Sequence, residues 1–233
     1  MTWFDERLYP DGAVGYTQRF EITRVVCERT SEFQDITIFE TPAFGRVLAL
    51  DGIVQTTEKD ELAYHEMLAH VPMFAHGNAK RVLIVGGGDG GVLREVLRHA
   101  SVDAATLVDI DRLVVDVCRE HMPSLSDGAF DDSRAHLVIT DATRFVAQTT
   151  DRFDVVIVDS TDPLGPGEAL FTEAFYADCK RRLASNGVLV TQNGVPFLQA
   201  DELASSMRKL KTLFGDVTAY LAVVPTYVGG FTA

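Results

Sequence analysis

The stretch DVVIVDSTDPLGPG, Asp154–Gly167, decides how this chain folds. Val155 to Val158 are four apolar, mostly β-branched residues in a row, the pattern of a strand buried on both faces of a parallel sheet. The run enters Asp159 directly, and Asp162 follows closely. Pro163, Gly165, Pro166 and Gly167 then bar an immediate helix and impose an ordered loop. Ligands of open α/β sheets bind beyond the carboxyl ends of the strands. Two carboxylates at such an end can hold a cation, or take a proton from one. The bland alternative is a loop whose Asp side chains cap backbone amides. The pairing beside a Pro/Gly loop favours a site.

Outward from this stretch the same rhythm recurs. Strands are predicted at 81–85, 104–108, 136–140, 154–158 and 187–191, with helices near 91–99, 112–120, 143–148, 172–183 and 200–213. Such alternation predicts an α/β domain with a doubly wound parallel sheet. Beyond Val217, Pro225 and Gly229-Gly230 divide β-like residues into a strand, a turn and the start of another strand.

The N-terminal part reads differently. Arg19–Glu28, Asp35–Glu40 and Arg46–Leu50 look like strands, with Pro42, Gly45 and Asp51-Gly52 as turns and no crossover helix between them. We expect a small antiparallel β unit over 1–60, with Trp3, Phe4 and Tyr16 helping to dock it or to meet a partner subunit. Residues 61–233 would form the main domain, opening with a helix over Glu61–Ala75 that carries Tyr64 and His65 near one edge of a face. Core packing is the bland role for both.

Bulk properties narrow the class. At 233 residues, 46% hydrophobic and 24% charged, the chain is long enough for one good core with a small appendage. Its 34 acidic and 21 basic residues, a net charge of -13, argue against nucleic acid or an anionic membrane as a partner. Cys27, Cys118 and Cys179 show no metal-like spacing and point to a reducing compartment. No apolar run approaches the ~18 residues of a membrane span, and no signal segment opens the chain, so a cytoplasmic location is expected.

The strand ends carry the chemistry. After strand 81–85 comes GGGDGG, in which Gly86, Gly88 and Gly91 satisfy GxGxxG between a strand and a helix. Alone that motif is weak. Asp89 inside it would repel a pyrophosphate and suits a positively charged ligand better. Asp109 ends the second strand, where a carboxylate can accept both ribose hydroxyls, unless it caps the next helix and Asp111 holds the ribose instead. Asp141-Ala142 ends the third and could read an adenine edge, though Asp141 could equally be a helix cap. With Asp159 and Asp162, four successive strand ends deliver carboxylate to one crevice. Such a cluster is costly unless cations occupy the cleft. A sulfonium adenosine and an amine meet that description. An amine of pKa near ~10.4 is protonated at neutral pH, a penalty of roughly 4.6 kcal/mol for baring its lone pair, and a carboxylate base is the remedy. Asp159 is placed for that work.

GGGDGG, DSTDP (Asp159–Pro163) and VQTTEKDELAYHEM (Val54–Met67) resemble the polyamine aminopropyltransferases, the bacterial spermidine synthases in particular. FDD (Phe130–Asp132), LGPGEALFT (Leu164–Thr172) and PTYVGG (Pro225–Gly230) extend the resemblance along essentially the whole chain. It implies a Rossmann-like sheet of the S-adenosylmethionine-methyltransferase type, and transfer of an aminopropyl group from decarboxylated S-adenosylmethionine to putrescine. Products would be spermidine and 5′-methylthioadenosine. By motif, Asp159 would accept the proton and Tyr64 orient the amine. Asp89 would hold the aminopropyl ammonium, while His65 and Asp162 line the polyamine path. Gln34, Asp109, Asp141, Ala142 and Pro166 would surround the nucleoside beside Gly86 and Gly88, and Gln55, Gln192 and Tyr227 would match further amine-pocket positions. The resemblance implies no metal, no nicotinamide or other cofactor, and a homodimer or homotetramer. Two departures stand out: the family usually has Glu at position 109, and Asp-Gly where this chain has Asp141-Ala142. Family members also continue past PTY-x-GG, so we expect a truncated C-terminus.

Rival readings are an amine N-methyltransferase using intact S-adenosylmethionine, a non-catalytic polyamine-binding protein, and a Rossmann dehydrogenase. Asp89 beside Asp159 and Asp162 favours a donor lacking a carboxylate, which disfavours the first. Asp89 facing a pyrophosphate disfavours the last.

Overall fold

The computed structural model describes residues 2–6, 15–161 and 165–233, without the side chain of Pro166. Its N-terminal part is antiparallel. β1 (Thr2–Asp5) pairs with β2 (Arg19–Ile22), and β3 (Arg24–Thr30), β4 (Asp35–Thr41), β5 (Gly45–Leu50) and β6 (Ile53–Thr57) form a meander in that order. The strand expected over Arg19–Glu28 is divided at Thr23, because its halves pair with different partners, β1 and β4. The strand β6 was signalled only by the turn before it: Asp51 (φ 51°) and Gly52 (φ 81°) are both left-handed, as in the tight turn that joins two twisted strands. Phe4 packs on Phe39 with ring centroids 4.6 Å apart. Trp3 and Tyr16, expected to dock the unit or to meet a partner subunit, are 44% and 49% exposed in the single chain.

The helix α1 (Glu61–His76) leads into alternation of strand and helix: β7 (Arg81–Gly86), α2 (Gly91–Leu97), β8 (Ala104–Asp109), α3 (Arg112–His121), α4 (Pro123–Ser126), β9 (Ala135–Ile139), α5 (Ala142–Gln148), β10 (Phe153–Asp159), α6 (Glu173–Arg182), β11 (Leu183–Thr191) and α7 (Ala200–Leu213). A short antiparallel pair, β12 (Leu221–Ala222) and β13 (Phe231–Thr232), ends the chain. Three short elements had no sequence signal we read: α4 and the 3-10 helices Ala129–Asp131 and Gly165–Phe171.

The five long strands are parallel in the order β11-β10-β7-β8-β9. Their apolar runs are continuous because both faces are covered. Val82, Ile84, Val155 and Ile157 pack under α1 and α2, while Leu83, Val85, Val156 and Val158 pack under α5 and α6. Each such side chain taken from water contributes roughly 1.5–3 kcal/mol. The N-terminal sheet docks through Cys27, Ile36, Ile38, Leu48 and Leu50, which pack on Val114, Val117, Cys118 and Met122. The strands stay parallel, but the order in which they are laid down reverses between β7 and β10, and a sheet of this kind opens its crevice at that switch point. Among the described residues, no helix is long and apolar enough to cross a membrane. The three cysteines are buried and unpaired.

Candidate active site

The crevice is built on the register pair Gly86 and Asp159, at the carboxyl ends of β7 and β10. Gly86 turns the chain with φ 78°, and the Gly87 amide donates to the Asp159 carbonyl at 3.0 Å. A Cβ on Gly86 would stand 2.0 Å from that carbonyl oxygen, and one on Gly88 would stand 2.8 Å from Oδ2 of Asp109. Glycines here let carboxylates of the two neighbouring strands seat against the loop.

Asp159 Oδ1 accepts a 2.5 Å hydrogen bond from the Tyr64 hydroxyl. Tyr64 is itself held by Phe231 and Tyr227, with ring centroids at 4.5 and 5.6 Å, so the tail braces the face of α1 that points into the crevice. Burial, with the charge of Asp89 second, raises the Asp159 carboxyl to about 6, against an ordinary 3.8. Asp159 therefore remains ionised at neutral pH while being a stronger base than a free aspartate.

Asp89 is not left facing the other carboxylates alone. Its Oδ1 accepts from the Gly91 amide at 2.7 Å, and Oδ2 lies 3.4 Å from Nε2 of His65. His65 is 1% exposed, and its Nδ1 lies 2.6 Å from Glu61 Oε2. Burial opposes charge on this imidazole, but Asp89 and Glu61 outweigh it and its pKa rises to about 10. Held between these two carboxylates, the histidine is an imidazolium packed against Asp89. Room for its ring is made by Gly91, where a Cβ would come within 2.2 Å of the imidazole.

The strand-end carboxylates separate into kinds. Asp109 is raised to about 6 by burial, aided by the charges of Asp111 and Asp89, and accepts the Asp111 amide at 2.8 Å. Asp111, not Asp109, caps α3: it accepts from Leu113 N at 2.9 Å, and its other oxygen takes hydrogen bonds from Ser31 (2.6 Å) and Gln34 (2.9 Å). Gln34 therefore ties the β3–β4 turn to the second strand end. Asp141 is exposed and caps α5 through Thr143 N (2.7 Å) and Thr143 Oγ1 (2.7 Å), which hold its carboxyl below the usual range. The close cluster is therefore Asp89, Asp109 and Asp159; Asp141 stands apart from it. Ala142 opens α5, where an amide lacks a partner within the helix.

Three further residues close the periphery. The Tyr227 hydroxyl donates to the Gln55 carbonyl, and the Gln55 amide turns back to Ile53 O at 3.2 Å. Gln192 is buried, and with its amide turned to satisfy both neighbours it spans Ser160 O (3.3 Å) and Gly194 N (3.1 Å). Asp162 lies outside the described residues, and Pro166 belongs to the 3-10 helix Gly165–Phe171.

Residues 61–233 match the family model of the spermine/spermidine synthase domain, and residues 2–58 that of the spermidine synthase tetramerisation domain. The chain belongs to the spermine/spermidine synthase family. It is 55% identical over 228 residues to a polyamine aminopropyltransferase of Ruegeria sp. strain TM1040, covering 98% of this chain and 79% of that protein. A polyamine aminopropyltransferase 1 of Pseudomonas aeruginosa is 56% identical over 230 residues, covering 99% and 79%. Among solved structures, a spermidine synthase in complex with the transition state analogue AdoDATO superimposes with a TM-score of 0.95 at 44% identity, covering 99% of this chain and 78% of that one. Spermidine synthase from Thermotoga maritima gives 0.93 at 43% identity, covering 100% and 78%.

Two polar residues of this family member had escaped the sequence reading. Glu61 and Arg94 form a bidentate pair, Nη2 to Oε2 at 2.8 Å and Nη1 to Oε1 at 3.1 Å, directly behind His65. The four-residue spacing of Glu61 and His65 on one helix was the available signal. Nothing comparable announced Arg94.

Proposed function

We propose that this chain transfers the aminopropyl group of decarboxylated S-adenosylmethionine to putrescine, releasing spermidine and 5′-methylthioadenosine. The observation that supports this most is Asp159: a half-buried carboxylate where the strand order reverses, hydrogen-bonded to Tyr64 and kept ionised at neutral pH. Asp159 takes a proton from the attacking ammonium. The freed lone pair forms a C–N bond at the propyl carbon next to sulfur. The C–S pair returns to sulfur, which leaves as a neutral thioether, and the proton passes from Asp159 to solvent. Tyr64 orients the carboxylate, Asp89 attracts the donor's ammonium, and Asp109 binds the ribose hydroxyls. In this reading the donor is a co-substrate and the chemistry needs no resident metal or cofactor. The match of residues 2–58 to a tetramerisation domain supports self-association.

Incubating the protein with decarboxylated S-adenosylmethionine and a panel of diamines, then identifying products by mass, tests the reaction. Spermidine and methylthioadenosine are expected in equal amounts. No product with any diamine would refute it.

Because Asp159 must be ionised to act, kcat/KM for the wild type should rise with pH through about 6 and level off above it. A profile flat from pH 5 to pH 8 would separate the proton acceptor from this residue.

Asp109 leads to a separate expectation. A carboxylate binding paired hydroxyls makes charge-assisted hydrogen bonds, so Asp109→Ala should weaken donor and methylthioadenosine by about 1.5–3 kcal/mol. The amine's KM should hardly change. Titration with methylthioadenosine and its 2′-deoxy analogue decides: discrimination should be present in the wild type and lost in the variant.

A further inference from the structure

Behind the reacting groups runs a chain of alternating charge from α2 to the crevice: Arg94, Glu61, His65, Asp89. Its contacts are 2.8, 2.6 and 3.4 Å, and its members are 13%, 8%, 1% and 12% exposed at the side chain. Arg94 is anchored further by Glu95 at 2.7 Å and by the Leu125 carbonyl at 2.6 Å. We propose that Glu61, backed by Arg94, is a positioning residue for the transfer reaction: it keeps His65 an imidazolium, which holds Asp89 in place and lets Asp159 remain ionised.

The inference rests on the aminopropyl-transfer reading, and the physical argument is one of proton count. A neutral imidazole has one N–H, so it can donate to only one of the two carboxylates that flank it. Only the doubly protonated ring satisfies both Glu61 and Asp89. Burial by itself would make the ring neutral. It is therefore the surrounding anions that decide. The titratable and charged groups around this network are Glu61 and Tyr64 from α1, Asp89 from the glycine loop, Arg94 and Glu95 from α2, Asp109 from β8, Asp159 from β10 and Tyr227 from the tail. Arg94 is the one cation in this group, and its charge is spent on Glu61 and Glu95. A neutral His65 would leave Asp89 uncompensated beside Asp159. Asp89 is the charge that most raises the Asp159 carboxyl, and His65 is the charge that opposes it. Losing the imidazolium would therefore protonate the base at a higher pH.

Glu61→Gln removes the charge while leaving an oxygen that can accept from Nδ1–H. Two readouts test it. First, the rising limb of kcat/KM should move up by about one pH unit, with kcat/KM near pH 6 falling roughly fivefold and recovering above pH 8. Arg94→Lys should shift the limb less. A loss that is uniform across pH, or an unmoved limb, would overturn the role. Second, nitrogen NMR of the substrate-free protein, assigned against His65→Asn, reads the ring directly. His65 should stay doubly protonated past pH 8 in the wild type and titrate lower in Glu61→Gln. A wild-type His65 that titrates near ~6.5, the unperturbed value, overturns the proposal even if Glu61→Gln does not fold. The NMR result stands apart from catalysis, so an inactive wild type with the expected titration would count against the reaction and not against the charge chain.

Discussion

Asp159→Asn should lose turnover by about 10²–10⁴-fold while keeping the fold and the affinity for methylthioadenosine, because an amide cannot take the amine's proton. Stability should not fall with it. The wild-type carboxylate is raised to about 6 by burial and by the charge of Asp89. A neutral amide escapes both penalties, and its oxygen can still accept from the Tyr64 hydroxyl. An unchanged or higher melting temperature beside a collapsed kcat is the expected signature of a catalytic residue placed at some cost to the fold. Turnover like the wild type's at neutral pH would remove Asp159 from the role. Reduced thermal stability would show that the ionised side chain holds the crevice together instead.

The second large effect concerns the backbone on which that carboxylate stands. Gly86→Ala should destabilise the protein by about 3 kcal/mol or more, or abolish folding. The added Cβ would lie 2.0 Å from the Asp159 carbonyl oxygen and 3.0 Å from its carbon, which is strand backbone and cannot swing away. The residue also sits at φ 78°, a conformation that costs an L residue roughly 1–2 kcal/mol by itself. Gly77→Ala isolates that second penalty: Gly77 has φ 84° after α1, with nothing within 4 Å of its would-be Cβ. Urea unfolding of both variants should show Gly86→Ala much the worse. Equal losses would mean that β7 and β10 can separate at their ends, and that the close approach of loop and strand is not required.

Much of this molecule was legible in its sequence, for reasons of period and of position. The run Val155–Val158 could be read as a doubly covered strand because each of its residues meets one helical layer or the other. The glycine loop, Asp109 and Asp159 could be assigned to strand ends because a parallel α/β sheet places its functional groups there. Family motifs carried the chemistry. What the sequence could not order was neighbourhood. Asp109, Asp111 and Asp141 are alike on paper, yet one is a half-buried carboxylate in the crevice, one a buried cap tied to Ser31 and Gln34, and one an exposed cap. Gly86 meets Asp159 only because β7 and β10, far apart in the chain, are adjacent in the sheet. The charge of His65 was likewise a tertiary decision. A histidine on a helix face is neutral or charged according to what packs on it, and here Glu61 from its own helix and Asp89 from the loop converge on its two nitrogens. Local pattern determines which residues can form an element, whereas protonation depends on the summed field of groups brought together by folding.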